Sequence, residues 1–257
     1  AALQSGQPRL PQVRFQGFPD IRLVTGSELI ETLAASYSHA GMDETMVVTR
    51  SNKRANIYNQ GIRNQILGRE EELSAGDLLM VVKNNYHWVD QQAAFSFIAN
   101  GDRAVVRRVR RVEELYGFRF AEVTMTFPDY DDYELTATVL LDTLRSEAPA
   151  LTAGQQTQLY NMVMEDYADI PQKAERLKKL KADRYYNALQ VKFAYAATCH
   201  KAQGGQWAHV YVDQGYMTDD MLTPDYMHWL YTAFTRATEH LYLVNWPKTQ
   251  TEEAVDD

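Results

Sequence analysis

The sequence predicts an α/β protein: a parallel sheet with helices on both faces, a small inserted β-barrel and a helical hairpin. Three observations predict it. Residues 193–246 read strand, polar loop, strand, helix, strand, the grammar of a parallel sheet whose ligands sit outside the carboxyl ends of its strands. Between residues 76 and 144 the texture changes to short strand candidates separated by turn residues, the pattern of a small barrel. From 145 to 190 the apolar spacing becomes helical.

Taken in order, residues 1–20 hold Pro8, Pro11 and Pro19 without periodicity and read as a linker or arm. The sheet domain is expected in two pieces, 21–75 and 191–246. Its first piece opens with the strand Ile21-Arg-Leu-Val24. Thr25 with Glu28 makes a capping box for a helix on Leu29, Leu33 and Tyr37, stopped by Gly41. Thr45-Met-Val-Val-Thr49 is a buried strand, and Ser51 caps a helix running through Ile57, Ile62 and Ile66 to Gly68.

The barrel is expected over 76–144, with strands at 77–83, 94–98, 103–109, 118–127 and 133–140. Gly101-Asp102, Tyr116-Gly117 and Pro128-Asp-Tyr-Asp-Asp132 mark turns between them. The loop Asn84-Asn-Tyr86-His-Trp88 sets aromatics among amides. That is the composition of a stacking platform for unpaired bases, or of a plug for the barrel's end. Over 145–190, Thr152 with Gln155 opens a helix on Leu159, Val163 and Tyr167. Pro171 breaks it, and a charged second helix runs through Leu177 and Leu180.

In the second sheet piece, Phe193-Ala-Tyr-Ala-Ala-Thr198 and His209-Val-Tyr-Val-Asp213 read as strands. Pro224-Asp225 opens a helix on Met227, Leu230 and Phe234 that ends near Arg236 and feeds the strand His240–Asn245. Residues 247–257 are acidic and unpatterned, as a frayed tail would be.

Composition narrows the function. No apolar run approaches the roughly 20 residues of a membrane span, and no signal peptide is visible. The single cysteine, Cys199, excludes an internal disulfide framework and fits a reducing cytoplasm. The six histidines show no metal-ligand spacing with it, so no resident metal is expected. A net charge of −8 argues against a simple nucleic-acid coat, though not against a motor with a local basic stripe. Two stripes exist: Arg103 to Arg111, and Lys173 to Arg184. Each also reads as a solvated face.

Two strings resemble superfamily 1 helicases of the RecD-like or Dda-like branch. Thr198-x-His200-Lys-x-Gln203-Gly204 is similar to their motif V, and Trp229-Leu-Tyr-Thr-Ala-Phe-Thr-Arg236-Ala to their motif VI. The junction Arg50-Ser-Asn-Lys-Arg54 resembles motif IV. The resemblance implies a second RecA-like domain with an SH3-like barrel inserted between motifs IV and V. It also implies 5′ to 3′ movement along single-stranded DNA, in repair or recombination.

Roles follow from the resemblance. Arg236 is implied to be the arginine finger that neutralises the γ-phosphate of ATP, a contribution worth about 10³ to 10⁵ in rate. Arg50, favoured over Arg54, is implied to approach the nucleotide, together with Gln203, Gly204 and Gln206. The family often has Glu at the last of these positions, where it meets the ribose. Thr198 is implied to hold the DNA backbone. His200, which reads alternatively as a buried orienting residue, and Lys201 join it at the strand's end, and Tyr86 and Trp88 are added as the stacking candidates.

The chain contains no Gly-Lys pair, so a G-x-x-x-x-G-K-[ST] loop is absent, and no Walker B acid follows an apolar strand. ATP and Mg²⁺ are therefore expected to be bound mainly by an N-terminal RecA-like domain outside this chain, with the chain inactive alone. The alternative is a stand-alone single-stranded nucleic-acid-binding or adaptor module on a helicase-like scaffold.

Overall fold

A computed structural model describes residues 11–90, 93 and 95–251. The chain folds as two compact units: 1–68 with 195–257, and 69–194. In chain order its elements begin with β1 (Ile21–Val24), α1 (Leu29–His39), β2 (Thr45–Thr49) and α2 (Asn52–Gly61). Then come β3 (Leu78–Val81), β4 (Arg103–Leu115), β5 (Phe118–Phe127) and β6 (Tyr133–Leu140). The helices α3 (Ala153–Asp166) and α4 (Lys173–Ala182) precede β7 (Leu189–Phe193). The last are β8 (Ala196–Thr198), α5 (Cys199–Ala202), β9 (Trp207–Asp213), α6 (Pro224–Phe234) and β10 (Ala237–Val244).

The first unit is a five-stranded sheet in the order β1-β10-β9-β2-β8, parallel throughout. Its central strands are apolar on both faces: Met46, Val47 and Val48 of β2 and Val210, Tyr211 and Val212 of β9 are all buried, as a doubly covered parallel sheet requires. The steps β1 to β2 and β2 to β8 cross the sheet in one direction, β8 to β9 and β9 to β10 in the other. Right-handed crossovers then put α1 and α2 on one face and α5 and α6 on the other. Side chains agree. Tyr211 donates to Thr32 O of α1 at 2.9 Å and Asp213 accepts from Tyr58 of α2 at 2.5 Å. The next residue, Gln214, accepts from Tyr226 of α6 at 2.6 Å. This is the RecA-like arrangement with an inserted barrel that the resemblance implies.

The second unit is a closed barrel, β3-β4-β5-β6-β7. Strands β4, β5 and β6 form an antiparallel meander, and the β4–β5 turn is Tyr116-Gly117 with φ of 58° and 75°. Two positive φ values in a two-residue hairpin loop give the twist its flanking strands need, which is why Gly stands there. Thr152 and Gln155 form the full capping box of α3. Leu159 and Val163 of α3 and Leu180 of α4 pack on Phe118, Phe120 and Leu140, so the hairpin buttresses the barrel.

Several expectations are corrected. Residues 95–98 form no strand, and Ala94 lies outside the described residues. Phe95 and Phe97 supply rings to Tyr130 and Tyr86 rather than rungs to a ladder, and only Ile98 bridges Asn85. The fifth barrel strand is β7, buried along its length, antiparallel to β3 and parallel to β6. The run 193–198 is consequently two strands. Ala194 N donates to Leu78 O in the barrel, whereas Tyr195 O accepts from Val47 N in the sheet, so the chain changes partners at one peptide bond. Strand β4 continues to Leu115 through two register shifts, with Arg111 at φ 46°. The helix after Ser51 ends at Gly61 and continues as a π-helical turn, Ile62–Ile66.

The Thr25–Glu28 pair is half a box. The Glu28 carboxylate accepts from Thr25 N and Oγ1, and α1 has no side-chain cap. Within the expected arm, residues 1–10 lie outside the description, and Val13 N donates to Gln250 O. Within the expected tail, Gln250 is fully buried and bonds Gln214 and Tyr226, so this stretch is packed. Residues 252–257 lie outside the description.

Candidate functional site

The predicted residues of the sheet unit fall at opposite ends of one sheet. Arg50 follows β2 and Thr198 closes β8 beside it, Thr49 pairing with Thr198, so both stand at the carboxyl ends. Arg236 precedes β10, and Gln203, Gly204 and Gln206 precede β9, so these stand at the amino ends. Seven-residue β9 alone holds the two ends about 20 Å apart. The expected nucleotide group is therefore split: Arg236 keeps the Gln203–Gln206 loop, and Arg50 does not join them.

At the amino ends the Arg236 guanidinium is held in place by neutral oxygens. Its Nε donates to Thr232 O at 3.0 Å, Nη1 to Gly205 O at 2.9 Å and Nη2 to Thr235 Oγ1 at 3.2 Å. Among the described residues no acid pairs with the half-buried charge, and one hydrogen on each terminal nitrogen is left for a further acceptor. The loop beneath it has its own geometry. Gly204 adopts φ +91°, and a Cβ on Gly205 would lie 2.4 Å from the Trp207 ring, so both positions require glycine. Gln203, Gly204 and Gln206 are exposed. Arg236 also acts on Cys199, whose thiol is pushed up to about 11 by burial against the smaller opposing pull of the guanidinium. Cys199 is thus an inert thiol donating to Trp229 O.

At the carboxyl ends, α5 starts directly on β8, with Thr198 Oγ1 accepting from Lys201 N at 3.4 Å as the cap of this single turn. His200 is exposed, which removes the buried orienting role. Lys201 is half-buried and its pKa is lowered by that burial. Next to them the connections leaving β9 and β2 diverge to opposite faces, the switch point where open α/β sheets place ligands. A cleft of about 660 Å³ opens there, lined by Arg50, Ser51, Arg54, Asp213, Tyr216 and Asn245 among others.

Its floor is Asp213, 3% exposed. Arg54 reaches Oδ2 through Nε at 2.9 Å and Nη2 at 2.8 Å, Tyr58 donates at 2.5 Å, and Gly215 N donates to Oδ1 at 2.8 Å. Burial first, then the carboxylate, raises the Tyr58 pKa far above neutrality, so its hydroxyl stays a donor. Arg54 is committed to this pair. Among the described residues Arg50 has no carboxylate partner; it lies against Met217 and 5.9 Å from the Tyr226 ring centre. Sequence reading missed Asp213, Tyr58 and the 83%-exposed Tyr216. The available signal for the first was an acid ending an otherwise apolar strand.

In the barrel unit, Trp88 and Tyr86 part company. Trp88 is half-buried, its Nε1 donating to Asn187 O at 2.7 Å, and so is an anchor of the loop. Tyr86 is 69% exposed and stacks on Phe97. Among the described residues, no cluster of three or more His, Cys, Asp or Glu is placed to hold a metal, and no helix is long and apolar enough to cross a membrane.

Comparison with known proteins adds a family match over part of the chain. Residues 193–244 match the UvrD-like helicase C-terminal domain. This part of the chain, which contains Thr198, the Gly204 loop and Arg236, is helicase-like. No curated protein matches the sequence. Among solved structures, the chain is similar to the Pif1 helicase from Candida albicans at 15% identity and a TM-score of 0.42, covering 82% of this chain and 47% of that one. It is also similar to the Pif1 helicase from Bacteroides in complex with ADP-AlF3 and ssDNA, at 12% identity and a TM-score of 0.43, covering 89% and 48%. The chain spans about half the length of either helicase.

Proposed function

We propose that this chain is the C-terminal motor half of an ATP-dependent DNA helicase of the RecD-like branch, moving 5′ to 3′ in the cytoplasm. The observation that carries the reading is the placement of two matched motifs at opposite ends of one sheet. Thr198 stands at the carboxyl end, Arg236 at the amino end, and the eight residues 199–206 lead from Thr198 to the loop whose Gly205 O accepts from Arg236. A group that feels nucleotide charge at one end is thereby tied by a short, glycine-bearing segment to a group able to take a phosphate of single-stranded DNA at the other.

Within this reading Arg236 is pre-aimed by three neutral oxygens and keeps its full charge, which is what stabilising charge on a departing γ-phosphate requires. Its planar fork suits phosphate oxygens better than a lysine would. Gln203, Gly204 and Gln206 contribute the polar edge of the same pocket, while ATP and Mg²⁺ are held mainly by an N-terminal RecA-like domain bearing the phosphate loop. Thr198, His200 and Lys201 grip the DNA backbone. We reassign Arg50 to this DNA-facing end, because it shares the carboxyl edge with Thr198.

The test is Arg236→Ala in the protein that includes the upstream ATP-binding domain. DNA-stimulated ATP hydrolysis is expected to fall about 10³-fold or more while single-strand affinity is kept. Equal loss of both would make Arg236 a structural brace and remove the reading. The isolated chain is expected to hydrolyse no ATP; clear turnover by it alone would have the same consequence.

A further inference from the structure

We propose that a cleft in the barrel unit, between residues 83–87 and the end of the helical hairpin, binds one nucleotide unit of a single strand, its base on Tyr86 and its phosphate between Lys83 and Lys181. The inference rests on the reading that the chain grips single-stranded DNA and assigns that partner a second contact, independent of Thr198 and Arg236.

The cleft holds about 390 Å³, at the small end of ligand sites and suited to a single nucleotide. One wall is Lys83 to His87; the other is Gln156 of α3, Lys181 of α4 and the stretch 186–190. Among the described residues no aspartate or glutamate lines it, in a protein of net charge −8. Lys83 Nζ donates to the neutral Gln156 Oε1 at 3.1 Å, and among the described residues neither lysine has a carboxylate partner. The nearby acid, Asp183, is already engaged: Tyr167 OH donates to one oxygen, and Tyr185 N and Tyr186 N to the other. Burial lowers the pKa of His87 against a smaller opposing effect of Asp183, so it is neutral at physiological pH and the positive charge of the cleft belongs to the lysines.

The loop that presents Tyr86 is built to be rigid. Asn85 Oδ1 accepts from His87 N at 3.0 Å and Trp88 N at 3.3 Å, and its Nδ2 donates to Asn187 O at 2.9 Å. Asn85 and Ile98 exchange both backbone bonds at 2.9 Å, and Trp88 pins the far side. Every neighbour of Tyr86 is thus tied down while its own ring stands out. Phe97 covers one face at 4.9 Å between ring centres. A ring supported on one face and open on the other is a stacking surface whose ordering entropy is lost on folding rather than on binding. Base stacking with backbone charge and no base-edge acid predicts binding tolerant of sequence.

The test uses the full chain and a labelled oligothymidylate of about 12 nucleotides carrying one 2-aminopurine. Tyr86→Ala is expected to weaken binding about tenfold and to release the quenching of 2-aminopurine, while Tyr86→Phe keeps both. Lys83→Ala with Lys181→Ala should lower the salt dependence of log K by about 0.7, one single-strand phosphate's worth. Thymidine monophosphate should compete only weakly, because the strand supplies further contacts; tight competition by the free nucleotide would overturn the strand as occupant. If Tyr86→Ala binds as the wild type does, the cleft is wrong and the motor reading stands. If the wild-type chain binds no single strand, both fall. Thermal melts that coincide across the variants exclude misfolding as the cause.

Discussion

The two ends of the sheet treat their arginines in opposite ways. At the carboxyl end Arg54 is paired with a buried carboxylate that two further donors also serve, so its charge is cancelled inside the protein. At the amino end, among the described residues, Arg236 is bonded to carbonyl and hydroxyl oxygens alone, which orient it without neutralising it. A compensated guanidinium holds the fold together. An uncompensated one is available to an anion that arrives later. Arg50, beside Arg54 in sequence but without its carboxylate, belongs with the second kind.

The largest expected effect separates the two in a single denaturation series. Asp213→Ala strands the Arg54 charge, the Tyr58 hydroxyl and the Gly215 N–H. Because Arg54 is 44% exposed and water can reach it, the loss should be about 2–3 kcal/mol rather than the larger figure of a fully buried pair. Arg236→Ala leaves half-exposed carbonyls and the Thr235 hydroxyl behind and should change stability by less than about 1 kcal/mol. The reverse order in urea midpoints would show that Arg236 is the brace and Asp213 the dispensable group.

That contrast was only partly legible in the sequence. The sheet was, because Thr45–Thr49 and His209–Asp213 are apolar runs of strand length flanked by polar loops, and the strings around Thr198 and Arg236 are distinctive. Asp213 was not: nothing in a sequence says that an acid after Val212 will meet Arg54 and Tyr58, which lie more than 150 positions earlier. The barrel's closing strand was hidden for a related reason. Leu189–Phe193 runs into the apolar stretch that follows, and two consecutive buried strands with different partners look like one. Residues 94–98 misled in the other direction, since aromatic spacing shows which side chains are buried but not which backbone pairs. Tyr86 and Trp88 share one loop, and only the bond to Asn187 distinguishes anchor from platform.

A smaller effect sharpens the comparison within the carboxyl end. If Arg50 faces a DNA phosphate and Arg54 does not, Arg50→Ala should weaken single-strand binding about tenfold. It should also lower the slope of log K against log salt by about 0.7. Arg54→Ala should leave that slope unchanged, because its charge is matched by Asp213 in the free protein. Equal slopes for both variants would return Arg50 to the structural class.

The smallest effect comes from midway along the sheet, where neither end's chemistry acts. His209, 3% exposed, places Nδ1 2.8 Å from Ser36 Oγ, which in turn lies 2.6 Å from Tyr211 OH. Tyr211 gives its only proton to Thr32 O, so Ser36 donates to Tyr211 and accepts from His209 Nδ1–H. Among the described residues Nε2 is left as a buried lone pair without a partner. Protonating it is unfavourable. Burial lowers the His209 pKa below 6.5, helped by His240 and His39 and opposed by Glu239. Arg22, Glu28 and Glu31 face the same hollow from β1, the turn before α1, and α1. The unfolded chain therefore binds the extra proton first. Stability that is fully present above pH 6.5 should decline as pH falls from 6.5 toward the depressed folded value, and level off below it. His209→Asn, which keeps a donor toward Ser36 but does not titrate, should flatten the decline measured by urea unfolding at fixed temperature. A remnant is expected from His87, also lowered by burial but located in the barrel unit. Superimposable pH profiles for wild type and His209→Asn would mean that the decline arises elsewhere and that the lone pair of His209 is protonated without penalty.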